Sequence, residues 1–252
     1  MQYLLSFLLK KLSLQYILTS LCWQELKGAK LMKYYPVFLD IKDKNCLVVG
    51  AGSVGIRKAL TLEKCGAVVK LISAHFSQDS LDRLSKTNIS FEEKKYSSRD
   101  IEAMFLVFAA TDNDKLNKRI KKDAEEMNIL CNVADSPNLS DFIVPSIVDR
   151  GDLMLAISTS GASPALAKRI RKDMETYFDF SYSCLLDLLG NIRKKLLKEG
   201  HAPDEHKRAL NCLLDKDILE LLRQKDETGI NEVLSEIFGK DYVCHELMKL
   251  KD

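Results

Sequence analysis

Three glycines, Gly50, Gly52 and Gly55, stand at the spacing G-x-G-x-x-G directly after the apolar run Cys46-Leu47-Val48-Val49 and before a helix-like run beginning Ile56-Arg57-Lys58-Ala59. Strand before and helix after is the context in which this spacing binds a dinucleotide. Gly50 would turn the chain tightly out of the strand, Gly52 would admit a pyrophosphate close to the backbone, and Gly55 would let the helix pack close on the sheet. The helix N-terminus then offers unpaired N–H groups and a partial positive charge to phosphate. Gly50, Ala51, Gly52, Ser53, Val54 and Gly55 are therefore candidate cofactor contacts. Without a ligand, the same residues would make only a tight strand–helix turn.

The residues around this loop alternate between strand and helix patterns. After the first helix, predicted near Val54 to Cys65 and stopped at Gly66, come Ala67 to Ile72 as a second strand and a weaker third at Phe91 to Lys95. Phe105 to Ala110 reads as a fourth strand, and Ile129 to Val133 as a fifth. Between those two, Leu116, Ile120, Ala124 and Met127 fall at helical spacing within Asp114 to Met127. This alternation predicts an α/β fold with a doubly wound parallel sheet of Rossmann type. Ligands in such sheets sit outside the carboxyl ends of the strands. Thr111, Asp112, Asn132 and Asp135, which follow strands four and five, should then share the crevice of the glycine loop. Ser73, at the end of the second strand, stands where an NAD-binding fold usually has an acid for the ribose 2′-OH. No arginine stands there either, so the residues leave NAD and NADP open.

Past Asp135 the pattern changes. Phe142 to Val148 and Leu153 to Ile157 are strand-like, with the turn Asp149-Arg150-Gly151-Asp152 between them. A hairpin is marginal alone, so a second copy supplying matching strands is expected, and with it a homodimer. In Ser158 to Pro164, Ser163 suits an N-cap and Pro164 the first helical position. The loop residues Ser158, Thr159 and Ser160 offer hydroxyls and N–H groups to an anion, or simply cap the helix. Lys168, Arg169 and Arg171 beyond them either pair with substrate carboxylates or form a solvated helix face. From Ala165 onward the pattern is helical, with breaks expected near Gly200–Pro203 and Thr228–Gly229. Asp135 itself could move a proton, attract a metal ion or serve as a turn residue before Pro137. The four histidines (75, 201, 206 and 245) show no metal-ligand spacing and read as surface residues.

Composition removes several classes. The formal net charge of +2 over 252 residues gives no drive toward nucleic acid or an anionic membrane. Seven scattered cysteines, none in a C-x-x-C pair, suggest reduced thiols and a cytoplasmic protein. Residues 1–31 are apolar in two runs broken by Lys10 and Lys11, too short for the roughly 20 residues of a membrane span. Met32-Lys33-Tyr34-Tyr35-Pro36 reads as a natural beginning, so residues 1–31 are expected to be non-native upstream sequence or a surface extension. The remaining expected division is 32–140 for a dinucleotide-binding domain, 141–162 for a dimerisation hairpin and 163–252 for a helical domain.

Several of these stretches together resemble the siroheme synthase N-terminal family. They are Tyr35-Pro36-Val37-Phe38-Leu39-Asp40, Val48 to Ala59, Ala109-Ala110-Thr111-Asp112-Asn113 with Asn117, and Cys131-Asn132-Val133-Ala134-Asp135. Phe142 to Ile147 and Leu153 to Ala167 carry the likeness on, over about residues 34–180 in all. The resemblance implies precorrin-2 dehydrogenase activity, which oxidises this tetrapyrrole to sirohydrochlorin with NAD. In some members it is joined by a lyase activity, the ferrochelatase that inserts substrate Fe²⁺. It implies a homodimer joined through about Asp141 to Ser158, and a proton-removing role for Asp135. Thr159 stands where some relatives carry an active-site serine, and Ser160 where glycine is common. Asn132, Ser158, Thr159, Ser160, Lys168 and Arg169 become candidate substrate contacts. With no methyltransferase part before Asp252, precorrin-2 is expected from a separate enzyme. A competing expectation is an NAD-binding regulatory module without catalysis.

Overall fold

The computed structural model describes residues 32–200 and 202–248; residues 1–31, and the expectation attached to them, lie outside this range. Five parallel strands form one sheet: β1 (Asn45–Val49), β2 (Val68–Ser73), β3 (Ser90–Glu93), β4 (Leu106–Ala109) and β5 (Leu130–Val133). Their order across the sheet is β3-β2-β1-β4-β5. The winding reverses beside β1, so the ends of β1 and β4 diverge into the crevice where such sheets take their ligands. Cys46 pairs with Leu106 and Val49 with Ala109 in register, which brings the loops after β1 and β4 side by side.

The sheet is sandwiched, and its central strands are apolar on both faces. One face packs Cys46, Val48, Leu71 and Phe108 against Ile56 and Leu62 of α1 (Ser53–Lys64). The other packs Leu47, Ile72, Val107 and Cys131 against Ile120 and Ala124 of α3 (Asp114–Glu126). A short helix the sequence pattern did not reveal, α2 (Gln78–Leu84), is capped by Ser77, whose hydroxyl accepts from the Ser80 N–H at 3.2 Å. Ser80 in turn donates to the Ala51 carbonyl at 2.9 Å and so steadies the glycine loop from behind.

Beyond β5 the expected strand 142–148 is shorter than its apolar pattern. β6 spans Ser146–Arg150 and pairs antiparallel with β7 (Leu153–Ile157) only. Pro145 has no N–H for a ladder, and Phe142 instead lays its ring edge-on against Phe108 at 5.5 Å. Helix α4 (Pro164–Tyr177) starts as the sequence predicts, with Ser163 accepting from the Leu166 N–H at 3.2 Å and Pro164 first in the helix. Arg150 fastens the hairpin to the end of α4 by donating to the carbonyls of Phe178 and Glu175 at 2.7 and 2.8 Å.

The C-terminal part is helical: α5 (Ser181–Lys198), α6 (Pro203–Leu214), α7 (Ile218–Gln224), α8 (Glu227–Phe238) and α9 (Cys244–Leu247). They enclose their own core around Leu188, Ile192, Leu213, Ile218 and Leu234. The second expected break moves from Thr228–Gly229 to Lys225–Asp226. There Lys225 takes a left-handed φ of 55°, and Asp226 caps α8 by accepting from the Gly229 N–H at 3.0 Å. Gly229 serves the start of that helix rather than a stop, since a Cβ there would meet the capping carboxylate at 2.6 Å.

Candidate functional site

Two clefts meet at the start of α1. The larger, of about 650 Å³, is lined by Gly50, Ala51 and Gly52, by Ser73 at the end of β2 and His75 beyond it, and by Thr111, Asp112 and Asn113 beyond β4. The smaller, of about 300 Å³, has Val54, Arg57 and Lys58 of α1 on one side. Asn132 of β5, Asp135 beyond it, Ile143 to Ser146, and Ser158 with Thr159 complete it. The crevice expected as one is thus divided: Thr111 and Asp112 share the compartment of the glycines, while Asn132 and Asp135 share the next one with Val54.

The glycine loop is shaped by backbone contacts. Gly50 has φ +110°, and a Cβ on it would lie 2.3 Å from the Ala110 carbonyl oxygen; one on Gly55 would lie 1.8 Å from the Gly50 carbonyl oxygen. Both therefore hold the loop against its own fold. Gly52 differs: a Cβ there would meet nothing within 4 Å, so that glycine keeps open space clear. Gly52 is also the N-cap of α1, with no side chain accepting from the first turn and no acid in it. The first N–H groups of a twelve-residue helix are left for an anion. These features fit the pyrophosphate of a dinucleotide. Across the cleft, Thr111 is fixed by Asn117: Thr111 Oγ1 donates to Asn117 Oδ1 at 2.7 Å, and Asn117 Nδ2 donates back to the Thr111 carbonyl at 2.8 Å.

Asp135 lies in the turn just beyond β5, the last strand of the parallel sheet. The Ala134 N–H donates to the Ala109 carbonyl at 2.9 Å, the final sheet bond, and Asp135 then takes a left-handed φ of 58°. Asp and Asn are the non-glycine residues that enter this region most readily. The turn leaves the carboxylate exposed at the smaller cleft. Beside it Asn132 is buried and donates through Nδ2 to the Phe142 carbonyl at 2.9 Å, closing the cleft floor. Ser140 holds the turn by donating to the Ser136 carbonyl at 3.0 Å and accepting from the Val133 N–H at 2.9 Å.

On the opposite wall, Thr159 donates to the Ser163 carbonyl at 3.0 Å and accepts from its N–H at 3.1 Å. Ser160 lies beyond the cleft lining at φ 53°, a conformation in which glycine is ordinarily at ease. Lys168 and Arg169 are exposed and outside the lining, and Arg169 pairs with Asp173 at 3.2 Å along α4. Ser53 and Gly55 shape the loop without lining either cleft.

Sequence reading passed over two cations that do line the site, Arg57 and Lys58. Their signal was the pair of charges one turn inside a helix whose first turn carries the fingerprint. Burial pushes the Lys58 ammonium down to about 8, the neighbouring Arg57 pushes the same way, and the Asp135 carboxylate opposes both. Among the histidines, His75 lines the larger cleft and His206 is buried rather than on the surface; His201 lies outside the described residues.

The fold and the glycine cradle define a dinucleotide-binding protein of the Rossmann class. Residues 37–146 match the family model described as putative NAD(P)-binding, and residues 150–177 the one described as sirohaem biosynthesis protein central. A siroheme synthase of Ruthia magnifica subsp. Calyptogena magnifica is 40% identical over 177 residues, 70% of this chain and 37% of that protein. Siroheme synthase 2 of Yersinia enterocolitica is 31% identical over 209 residues, 82% of this chain and 44% of that protein. The chain thus spans less than half the length of these curated relatives. A solved structure of SirC, precorrin-2 dehydrogenase, superposes with a TM-score of 0.67 at 28% identity, covering 81% of this chain and 98% of that one. Over these stretches the chain is similar to the siroheme synthases and to this precorrin-2 dehydrogenase.

Proposed function

We propose that this protein oxidises precorrin-2 to sirohydrochlorin with NAD, a step of siroheme biosynthesis. The observation that carries the reading is the placement of the Asp135 carboxylate in a cleft that begins at Val54, inside the dinucleotide fingerprint. Bound at the glycine loop, NAD supplies the hydride acceptor. Gly52 and the first turn of α1 would hold its phosphates, and Thr111 with Asp112 would bound its cleft beyond β4. Asp135 accepts the proton that the macrocycle loses as its hydride departs, a role suited to an exposed carboxylate beside the reacting carbon. The likeness to the solved precorrin-2 dehydrogenase supports the same reading.

The smaller cleft takes one edge of a flat tetrapyrrole, not the whole. A second copy joined through β6 and β7 would complete the enclosure, and would bring its own Lys168 and Arg169 toward the substrate's acid groups. The lone hairpin pairing and the exposure of Met154 support that homodimer. Among the described residues no helix is long and apolar enough to cross a membrane, and the described cysteines are free thiols, which suits a cytoplasmic enzyme.

The test is an anaerobic assay in which precorrin-2 and NAD are combined with the protein and the sirohydrochlorin absorption is followed. Appearance of that band with NADH supports the dehydrogenase; NAD binding without turnover would instead leave a regulatory module. Fe²⁺ added afterwards as substrate reads ferrochelatase activity separately, through the siroheme band.

A further inference from the structure

The smaller cleft is lined by three ionisable side chains, and two of them are cations with nothing to hold. Arg57 and Lys58 lie one after the other on α1, and Asp135 faces them from the turn after β5. Neither cation's head group makes an ion pair or hydrogen bond among the described residues. Of the cations the sequence offered for substrate binding, Arg169 pairs with Asp173 and Arg171 with Glu175, and Lys168 of the same chain lies outside the cleft lining. Lys58 is half-buried, with its ammonium 5.7 Å from the centre of the Phe108 ring. Partial burial penalises the charge of a cation that has no ion pair, and an anion meeting it relieves that penalty. We propose that Lys58, assisted by Arg57, is the clamp that grips a carboxylate side chain of the macrocycle and so seats the reacting edge against Asp135.

This clamp rests on the tetrapyrrole reading and names a residue for it. Its geometry is economical in one respect: α1 serves dinucleotide phosphates with its N-terminus and substrate acid with its second turn. The groups facing Lys58 are few. Arg57 shares its helix, Asp135 faces it from the β5 turn, Phe108 of β4 lies beneath, and the wall from Ile143 to Ser146 and from Ser158 to Thr159 carries no charge. Burial holds the Lys58 ammonium down to about 8. Seating a carboxylate favours the charged ammonium, so binding should take up more protons at pH 8 than at pH 6.

The experiment is calorimetric titration of sirohydrochlorin into the full chain, at pH 6 and pH 8, in buffers of differing ionisation enthalpy. The variants are Lys58→Met and Lys58→Arg, with NAD titrated into each as a second readout of a folded loop. The clamp requires greater proton uptake at pH 8 than at pH 6 in the wild-type protein. It requires affinity at least about tenfold weaker in K58M, as expected for a lost charge-assisted hydrogen bond, with NAD affinity kept. K58R should bind within a few-fold of wild type and take up no proton, because a guanidinium does not titrate there. Equal affinity and equal uptake in K58M would overturn the clamp and leave the dehydrogenase reading standing. Loss of NAD affinity in K58M with sirohydrochlorin binding unchanged would overturn it too, by assigning Lys58 to the pyrophosphate. A wild-type protein that takes NAD but no sirohydrochlorin would remove the reading on which the clamp rests.

Discussion

Asp135 and Lys58 face each other across one cleft, and each has a task set by its surroundings. Asp135 is exposed on a left-handed turn at the mouth of the cleft. Asp135→Asn keeps the turn, since Asn tolerates the same φ, but cannot take the proton. Its turnover in the anaerobic assay should fall by about 100-fold or more, with NAD affinity unchanged. Lys58 carries a prediction in pH. Its folded value, near 8, lies below the ordinary 10.5, so the unfolded chain holds more protons than the folded one between those limits. Stability supplied through this group therefore rises with pH across about 8 to 10.5. Urea midpoints measured at pH 7, 8, 9 and 10 should show wild type gaining on Lys58→Met over that interval. No gain would mean that burial does not tax the charged form.

Among the elements, the loop–helix unit of β1 and α1 is where glycines can be told apart. Gly55→Ala drives a Cβ into the Gly50 carbonyl and should cost several kcal/mol, read as a fall in the melting temperature. Gly52→Ala meets no protein atom. It should melt within a degree or two of wild type yet bind NAD at least tenfold more weakly, because the methyl occupies the space left for phosphate. At α4, Ser163→Ala removes the cap and should cost about 1 kcal/mol. The parallel sheet, α1, α3 and the start of α4 were all legible in the sequence, because apolar period, glycine spacing and cap chemistry agree there. The site was legible in part. Asn132 and Asp135 were expected in one crevice with Thr111, Asp112 and the glycine loop, but they line a separate cleft with Thr159, because the crevice is divided at the start of α1. Lys58 escaped because a lysine on an amphipathic helix looks the same whether it faces water or a cleft; only packing distinguishes them. The overlong strand at 142–148 misled for the opposite reason, since an apolar run that closes a cleft looks like one that pairs.

At the scale of the whole molecule, ion pairs tie the helices of the parallel sheet to the segment that follows it. Lys64 of α1 reaches Asp149 of the hairpin at 2.6 Å, and Lys121 of α3 holds Asp141 at 2.5 Å while Asp141 also accepts from the Cys131 N–H. The first is exposed and worth little; the second caps the edge of the sheet. With β6 and β7 pairing only each other, the homodimer becomes a testable property of the molecule. Light scattering on a sizing column should report twice the chain mass. Met154→Asp, placing a charge on the exposed side of β7, should shift it toward the monomer without lowering far-ultraviolet ellipticity.

The two cysteines inside the sheet have a use of their own. Burial pushes the Cys46 thiol up to about 11 and the Cys131 thiol up to about 12, whereas Cys65 and Cys212 are exposed. An alkylating reagent at neutral pH will mark the outer pair at once and reach the inner pair only when strands separate. The slow appearance of label at Cys46 and Cys131 is thus a built-in clock for the opening of the sheet, and dinucleotide held at the neighbouring loop should make that clock run slower.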